Sequence, residues 1–387
     1  MKEKTKLIHA GFDRSNFAET SEPIFMTSGF VYDSAEQAEA VFTGDIERFQ
    51  YTRYSNPTID CFERRLAALE GAEECLSTAS GMAAVYGALA GLCKAGDHIV
   101  AGRAMFGSCL QIVISILPKF GVTYELVDGY DNDQWAAALA RKKTALCFIE
   151  SPSNPTLQLT DIPAVVKMAK ATDTKIVVDN VFATPMGQRP LALGADVVIY
   201  SATKHIDGQG RAMGGAILTS TALLDSGIRF FCRNTGPTLS PMNAWLLNKG
   251  LETLSSRMEE QCQNTLKVAE FLAEHKKVET THYPMLPSHP QYELAQRMLK
   301  YAGTVVSFDI KGGKEEAFHM LNKTKLFRVS NNLGDSKSLS THPATTTHFS
   351  VPDEEKLKIG ITDGTIRLSV GLEDIDDIIE DLDMALS

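Results

Sequence analysis

Five short runs of almost wholly apolar residues constrain this chain more than any other feature. They are HIVAG near residue 98, ALCFIES near 145, KIVVDN near 175, DVVIYS near 196 and GGAILTS near 214. A strand that is apolar on both sides must be covered on both faces. Amphipathic segments fall between several of these runs, SCLQIVISILPKF and DIPAVVKMAKAT among them. Such strands alternating with helices predict an α/β fold whose mainly parallel sheet lies between helical layers. Upstream, TIDCFERRLAALEGAE places Ile59, Phe62, Leu66 and Leu69 at helical spacing.

The pattern changes after about residue 250. A long helical stretch, LETLSSRMEEQCQNTLKVAEFLAEH, leads into a smaller α+β region with strands expected at TVVSFDI and TIRLSV. At 387 residues and 44% hydrophobic composition, the chain holds more core than one compact unit usually does. The expected organisation is an arm over residues 1–60, a large domain over 61–250 and a small domain over 251–387. The arm mixes Pro, Gly, Ser and aromatics without a sustained period.

Ligands in open α/β sheets gather at the carboxyl ends of strands, and three ends here are polar. KIVVDN ends in Asp179. DVVIYS runs into Ser201, Thr203 and Lys204. ALCFIES runs into Ser151, Pro152 and Asn154. Desolvation lowers the proton affinity of a strand-end lysine and makes its amine a nucleophile for carbonyls. An aspartate suits a protonated pyridine nitrogen, and the two hydroxyls suit phosphate oxygens. STASGMAA, Ser77 to Ala84, is a small turn opening a helix, where free N–H groups favour phosphate. Each feature alone has an ordinary structural meaning, a turn or a cap. Their order is more specific: a phosphate turn, then an aspartate, then a lysine 25 residues further on.

Charge and cysteine usage exclude other classes. A net charge of −10 opposes nucleic-acid phosphates. The opening MKEKTKLIHAG lacks the apolar core of a signal peptide, and no run is long enough to span a membrane, so a cytoplasmic protein is expected. Seven cysteines without CxxC spacing read as reduced, mostly buried thiols. Nine histidines without ligand spacing predict no metal site.

Seven motifs in order cover nearly the whole chain: YTRYSNPT (51–58), SGMAA (80–84), ESPSNP (150–155), VVDNVFATP (177–185), YSATKHIDGQG (200–210), SLSTHPATTTH (338–348) and RLSVGLED (367–374). This series resembles the Cys/Met-metabolism family of pyridoxal-phosphate enzymes. The resemblance implies fold type I, with Lys204 as the lysine that carries pyridoxal 5'-phosphate and Asp179 as the partner of its ring nitrogen. It further implies a phosphate cradle from Gly81, Met82, Ser201 and Thr203. Tyr51 and Arg53 match arm residues that reach the phosphate of a neighbouring subunit, which gives the arm a purpose and implies a homo-oligomer, a tetramer of active-site-sharing dimers. Arg367 matches the clamp for the substrate α-carboxylate, a task suited to guanidinium. Asn154 and Ser338 match residues beside it.

Two departures from the family pattern narrow the reaction. Phe106 stands where the family usually has a tyrosine stacked on the cofactor, with Ser108 two residues later. Lys337 stands where cystathionine-handling members read glutamate. Together these resemble the O-succinylhomoserine sulfhydrylases, which join an O-acylhomoserine, succinyl or acetyl, to sulfide and release homocysteine for methionine biosynthesis. Cystathionine γ-synthase, with cysteine as nucleophile, and the methionine or cystathionine γ-lyases share every cofactor residue. Arg211, Arg233 and Lys337 are candidates for a cation facing the distal succinyl carboxylate.

Overall fold

The computed structural model describes all 387 residues. Seven strands form the larger sheet: β1 (Glu74–Thr78), β2 (His98–Gly102), β3 (Thr123–Val127), β4 (Leu146–Glu150), β5 (Lys175–Asp179), β6 (Val197–Tyr200) and β7 (Gly215–Thr219). Their order is β1-β7-β6-β5-β4-β2-β3. From β3 to β6 all neighbours are parallel, whereas β7 runs antiparallel to both β6 and β1. The five apolar runs all become strands, and the central ones are buried along their whole length. The α/β, mainly parallel expectation holds.

Helices close both faces. On one face the helix Gly81–Leu92 packs with Ile99, Phe148, Val177 and Ile199. On the other, the helix Ile162–Lys170 packs with Val100, Cys147, Ile176 and Val178 around the buried Trp135. SCLQIVISILPKF departs from its expected continuous helix. It is an α-turn over Gly107–Gln111, a π-turn over Ile112–Ile116 and a 3-10 turn over Leu117–Phe120, where Pro118 removes a backbone donor.

The helix expected from Thr58 is present as Pro57–Glu70, capped by the Asn56 side chain and closed by Gly71 at φ +88°. The first 25 residues are fastened to it by a buried ion pair between Arg65 and Glu22, to which Lys249 also bonds.

The smaller sheet contains β8 (Val278–His282), β9 (Val305–Ile310), β10 (Arg328–Val329), β11 (Leu339–Thr341) and β12 (Thr365–Ser369), ordered β10-β11-β12-β9-β8. A 34-residue helix, Pro241–Glu274, joins the two sheets' cores and runs straight through residue 250. Its first half packs under the large sheet and its last turns under the small one. No helix is long and apolar enough to cross a membrane.

Candidate active site

The ends of β4, β5 and β6 point to one rim, because parallel strands deliver their carboxyl ends together. Asp179 closes β5, directly beside Glu150 at the end of β4. Lys204 follows β6 by one turn.

The Lys204 amine is largely buried and has no carboxylate partner. It donates to Asn332 Oδ1 at 2.6 Å. Burial, reinforced by the nearby Arg367 charge, lowers its pKa from 10.5 to about 8. The amine is therefore a far better base and nucleophile at neutral pH than an exposed lysine.

Asp179 accepts one hydrogen bond, from the Val181 N–H at 3.1 Å. Burial lifts its carboxyl to about 7. A buried acid without a cation has room in its energetics for one, and a protonated ring nitrogen placed there would favour the ionised form.

Arg367, on β12, is buried, and no carboxylate pairs with it. Nη1 donates to Asn154 Oδ1 at 3.0 Å, and Nη2 donates to the carbonyls of Asn331 and Asn332 at 3.0 and 3.1 Å. Nε is buried without any partner. Burial lowers its pKa to about 10, which still leaves it charged. A desolvated cation with neutral partners and a free donor fits an incoming carboxylate.

SGMAA is the first turn of the helix Gly81–Leu92, with Ser80 as N-cap, its side-chain oxygen accepting from the Ala83 N–H. A Cβ on Gly81 would lie 2.5 Å from Ser201 Cβ, so only glycine lets the helix end approach the strand end. This helix N-terminus and Ser201 lie against each other as a small cradle, whereas the Thr203 hydroxyl is taken up by Gly214, donating to its carbonyl and accepting from its N–H. Phe106 is half-buried, its N–H donating to Glu150 Oε2 at 2.8 Å. Cradle, acid, amine and guanidinium suit pyridoxal phosphate and an amino acid bound against it.

Some sequence-derived residues lie elsewhere or are otherwise engaged. Ser338 is buried, but its N–H and hydroxyl both donate to Glu373, and its oxygen accepts from the Gly371 N–H. Asn332, which sequence reasoning missed, is the residue that touches both Lys204 and Arg367. Tyr51 is 45% exposed. Arg53 stacks over Tyr51 and Tyr54 and donates to the Arg233 carbonyl. Of the three candidate distal cations, Arg211 pairs with Asp207 and Lys337 with Asp335, whereas Arg233 pairs with no carboxylate. Cys109, Glu150 and Asp179 bring three potential ligand atoms within 4.8 Å, a grouping the spacing did not predict.

Comparison with known proteins agrees with this geometry. The family model for Cys/Met metabolism PLP-dependent enzymes matches residues 4–387. The chain belongs to that family. An O-succinylhomoserine sulfhydrylase of Mycobacterium tuberculosis is 50% identical over 98% of this chain and 94% of its own length. An L-methionine gamma-lyase of Treponema denticola is 42% identical over 99% of this chain and 96% of its own. The structure of a Campylobacter jejuni protein described as an O-acetylhomoserine (thiol)-lyase superposes with a TM-score of 0.95 at 34% identity, covering both chains fully, and carries a pyridoxyl-lysine monophosphate. This Cys/Met-metabolism enzyme is thus a fold type I protein whose cofactor is pyridoxal phosphate.

Proposed function

We propose that the protein catalyses γ-replacement, converting O-succinylhomoserine, or O-acetylhomoserine, and sulfide to homocysteine. The observation that carries this reading is Phe106. Its backbone N–H on Glu150, the neighbour of Asp179, supports reading its ring, which lacks a hydroxyl, as lying beside the cofactor. A thiol leaving group profits from an acid next to it. An acyl group leaves as a carboxylate, whose low pKa asks for no proton. The 50% identity to a sulfhydrylase supports the same choice over the lyases at 42%.

Bound at this site, pyridoxal phosphate supplies an electron sink for charge developing on the substrate carbons. Arg367 binds the substrate α-carboxylate, and Asn154 holds the guanidinium plane in place. Lys204 carries the cofactor until substrate arrives. Its amine then takes the proton from the α carbon and moves a second from the β carbon, a task matched to a pKa of about 8. Asp179 keeps the ring nitrogen protonated. Gly81, Met82, Ser201 and Thr203 hold the phosphate, and Tyr51 and Arg53 are read as additions to the phosphate site of a second copy. Arg233, without an acid of its own, is the candidate for the distal carboxylate.

Product analysis tests the reading. Purified, cofactor-loaded protein is offered O-succinylhomoserine with sulfide, with cysteine, and alone. Homocysteine formed only with sulfide is expected. Cystathionine as the main product would move the protein to the synthases. In a parallel assay, 2-oxobutanoate from methionine or cystathionine would move it to the lyases.

A further inference from the structure

Glu150 takes no part in the chemistry above, yet it touches three parts of the site. Oε2 accepts the Phe106 N–H at 2.8 Å and Oε1 accepts the Asn154 N–H at 2.7 Å. Its carboxyl lies in register with Asp179 across the sheet, and carboxyl oxygens of the two acids lie within 4.8 Å of each other and of Cys109 Sγ. All three side chains are buried. The groups facing Glu150 are Asp179 from β5, the Cys109 thiol from the Gly107–Gln111 turn, and the two backbone N–H groups. No lysine, arginine or histidine pairs with either acid.

Two carboxylates this close in a dry interior do not both ionise. A protonated ring nitrogen at Asp179 selects that acid as the ionised one, so the remaining proton belongs to the other. We infer that Glu150 is a positioning residue held as a neutral carboxylic acid, which fixes the backbones of Phe106 and Asn154 while leaving Asp179 the sole negative charge presented to the cofactor. Burial and the Asp179 charge push the Glu150 carboxyl well above its usual value, and burial does the same to the Cys109 thiol, in keeping with neutral neighbours. A neutral acid keeps lone pairs on both oxygens for the two N–H donors. The inference rests on the cofactor and on Asp179 as its partner. It is independent of which substrate is consumed.

The test needs no substrate, so its failure is distinct from failure of the sulfhydrylase reading. The infrared spectrum of the cofactor-loaded protein is recorded at about pH 8, where Glu63 and Glu70, the other acids lifted to about 7, are mostly ionised. The carbonyl stretch of a protonated carboxylic acid is expected, and Glu150→Gln should abolish it. Because glutamine is uncharged like the neutral acid, though its NH2 leaves one of the two N–H groups without an acceptor, the same variant should keep the pH course of the cofactor's visible absorption within about half a unit of wild type. Glu150→Ala strands two N–H groups and should weaken pyridoxal-phosphate binding roughly tenfold. Absence of the protonated-acid band in the wild-type protein would overturn the inference without any variant. So would a shift of about one unit or more in Glu150→Gln, the mark of a lost negative charge.

Discussion

Arg367 Nη1 donates to Asn154 Oδ1 at 3.0 Å, a hydrogen bond between the small sheet and the loop that leaves β4 of the large one. One guanidinium thus ties the two halves together at the point where substrate would sit. Removing it should do more to binding than to turnover. Arg367→Ala is expected to raise KM for the O-acylhomoserine by about 100-fold, with a smaller change in kcat, since a buried charge-assisted contact is lost. Arg367→Lys should rescue only part, because an ammonium cannot make the two-pronged contact. Steady-state kinetics decide it, and an unchanged KM would remove Arg367 from the carboxylate site.

The cradle gives a sharper structural prediction. A methyl group on Gly81 would sit 2.5 Å from Ser201 Cβ and 2.9 Å from its Cα. Gly81→Ala must push the helix away from the strand end, at a stability cost of about 1–3 kcal/mol, and its N–H groups would no longer converge on the phosphate. Equilibrium dialysis should find pyridoxal-phosphate affinity reduced by at least about tenfold, a loss of about 1.4 kcal/mol. Retained affinity would place the phosphate elsewhere.

Lys204 should cost the cofactor-free protein stability. Its pKa falls from 10.5 in the open chain to about 8 when folded, so the folded state holds its proton less firmly. The penalty is fully present below about pH 8 and fades as pH rises toward 10.5, the window in which the unfolded chain binds more protons. Lys204→Met should therefore stabilise the cofactor-free protein at neutral pH, by an upper bound of about 3 kcal/mol, and the gain should shrink in alkaline buffer. Urea melts across pH check this. The same variant should have no turnover with cofactor added.

What the sequence disclosed about this site follows from which residues are costly where they stand. A lysine after a buried strand and an aspartate closing another are each expensive and so draw notice, whereas Arg367 within TIRLSV is picked out only through the family resemblance. Glu150 closes a strand too, but only the register of β4 against β5 reveals that it abuts Asp179, a non-local fact. Asn332 sits in a stretch that reads as a turn, and only the tertiary fold brings it to Lys204. Ser338 shows the converse: its motif is distinctive, but that its hydroxyl donates to Glu373, 35 residues away, is visible only in the fold. Among the strands, the central apolar ones were legible. The edge strand β3, exposed at its first two residues, and β1, with polar ends, carry no continuous apolar run to betray them.

Phe106→Tyr restores a hydroxyl at a half-buried position and should change stability by no more than about 1 kcal/mol. An added acid beside the reacting carbons favours departure of a thiol. The variant is expected to release more 2-oxobutanoate from methionine or cystathionine than wild type, measured as 2-oxo acid with sulfide omitted. If elimination does not rise, the missing hydroxyl is not what separates replacement from elimination here.

Glu70 offers a test of pH linkage remote from the chemistry. It ends the helix Pro57–Glu70, is buried, and accepts the Tyr200 hydroxyl at 2.7 Å while its other oxygen has no partner. Burial raises its pKa from 4.5 to about 7. Between those values the folded state binds more protons than the unfolded chain, so this group lowers stability as pH rises through the window. Glu70→Gln keeps an oxygen for Tyr200 and removes the charge. It should stabilise the protein above pH 7, by an upper bound of about 3 kcal/mol. The gain should fall as pH drops below about 7 and vanish near 4.5. Thermal melts of both proteins at pH 8 and pH 5 measure the difference, and an equal shift at the two pH values would show that folding leaves the pKa of Glu70 unchanged.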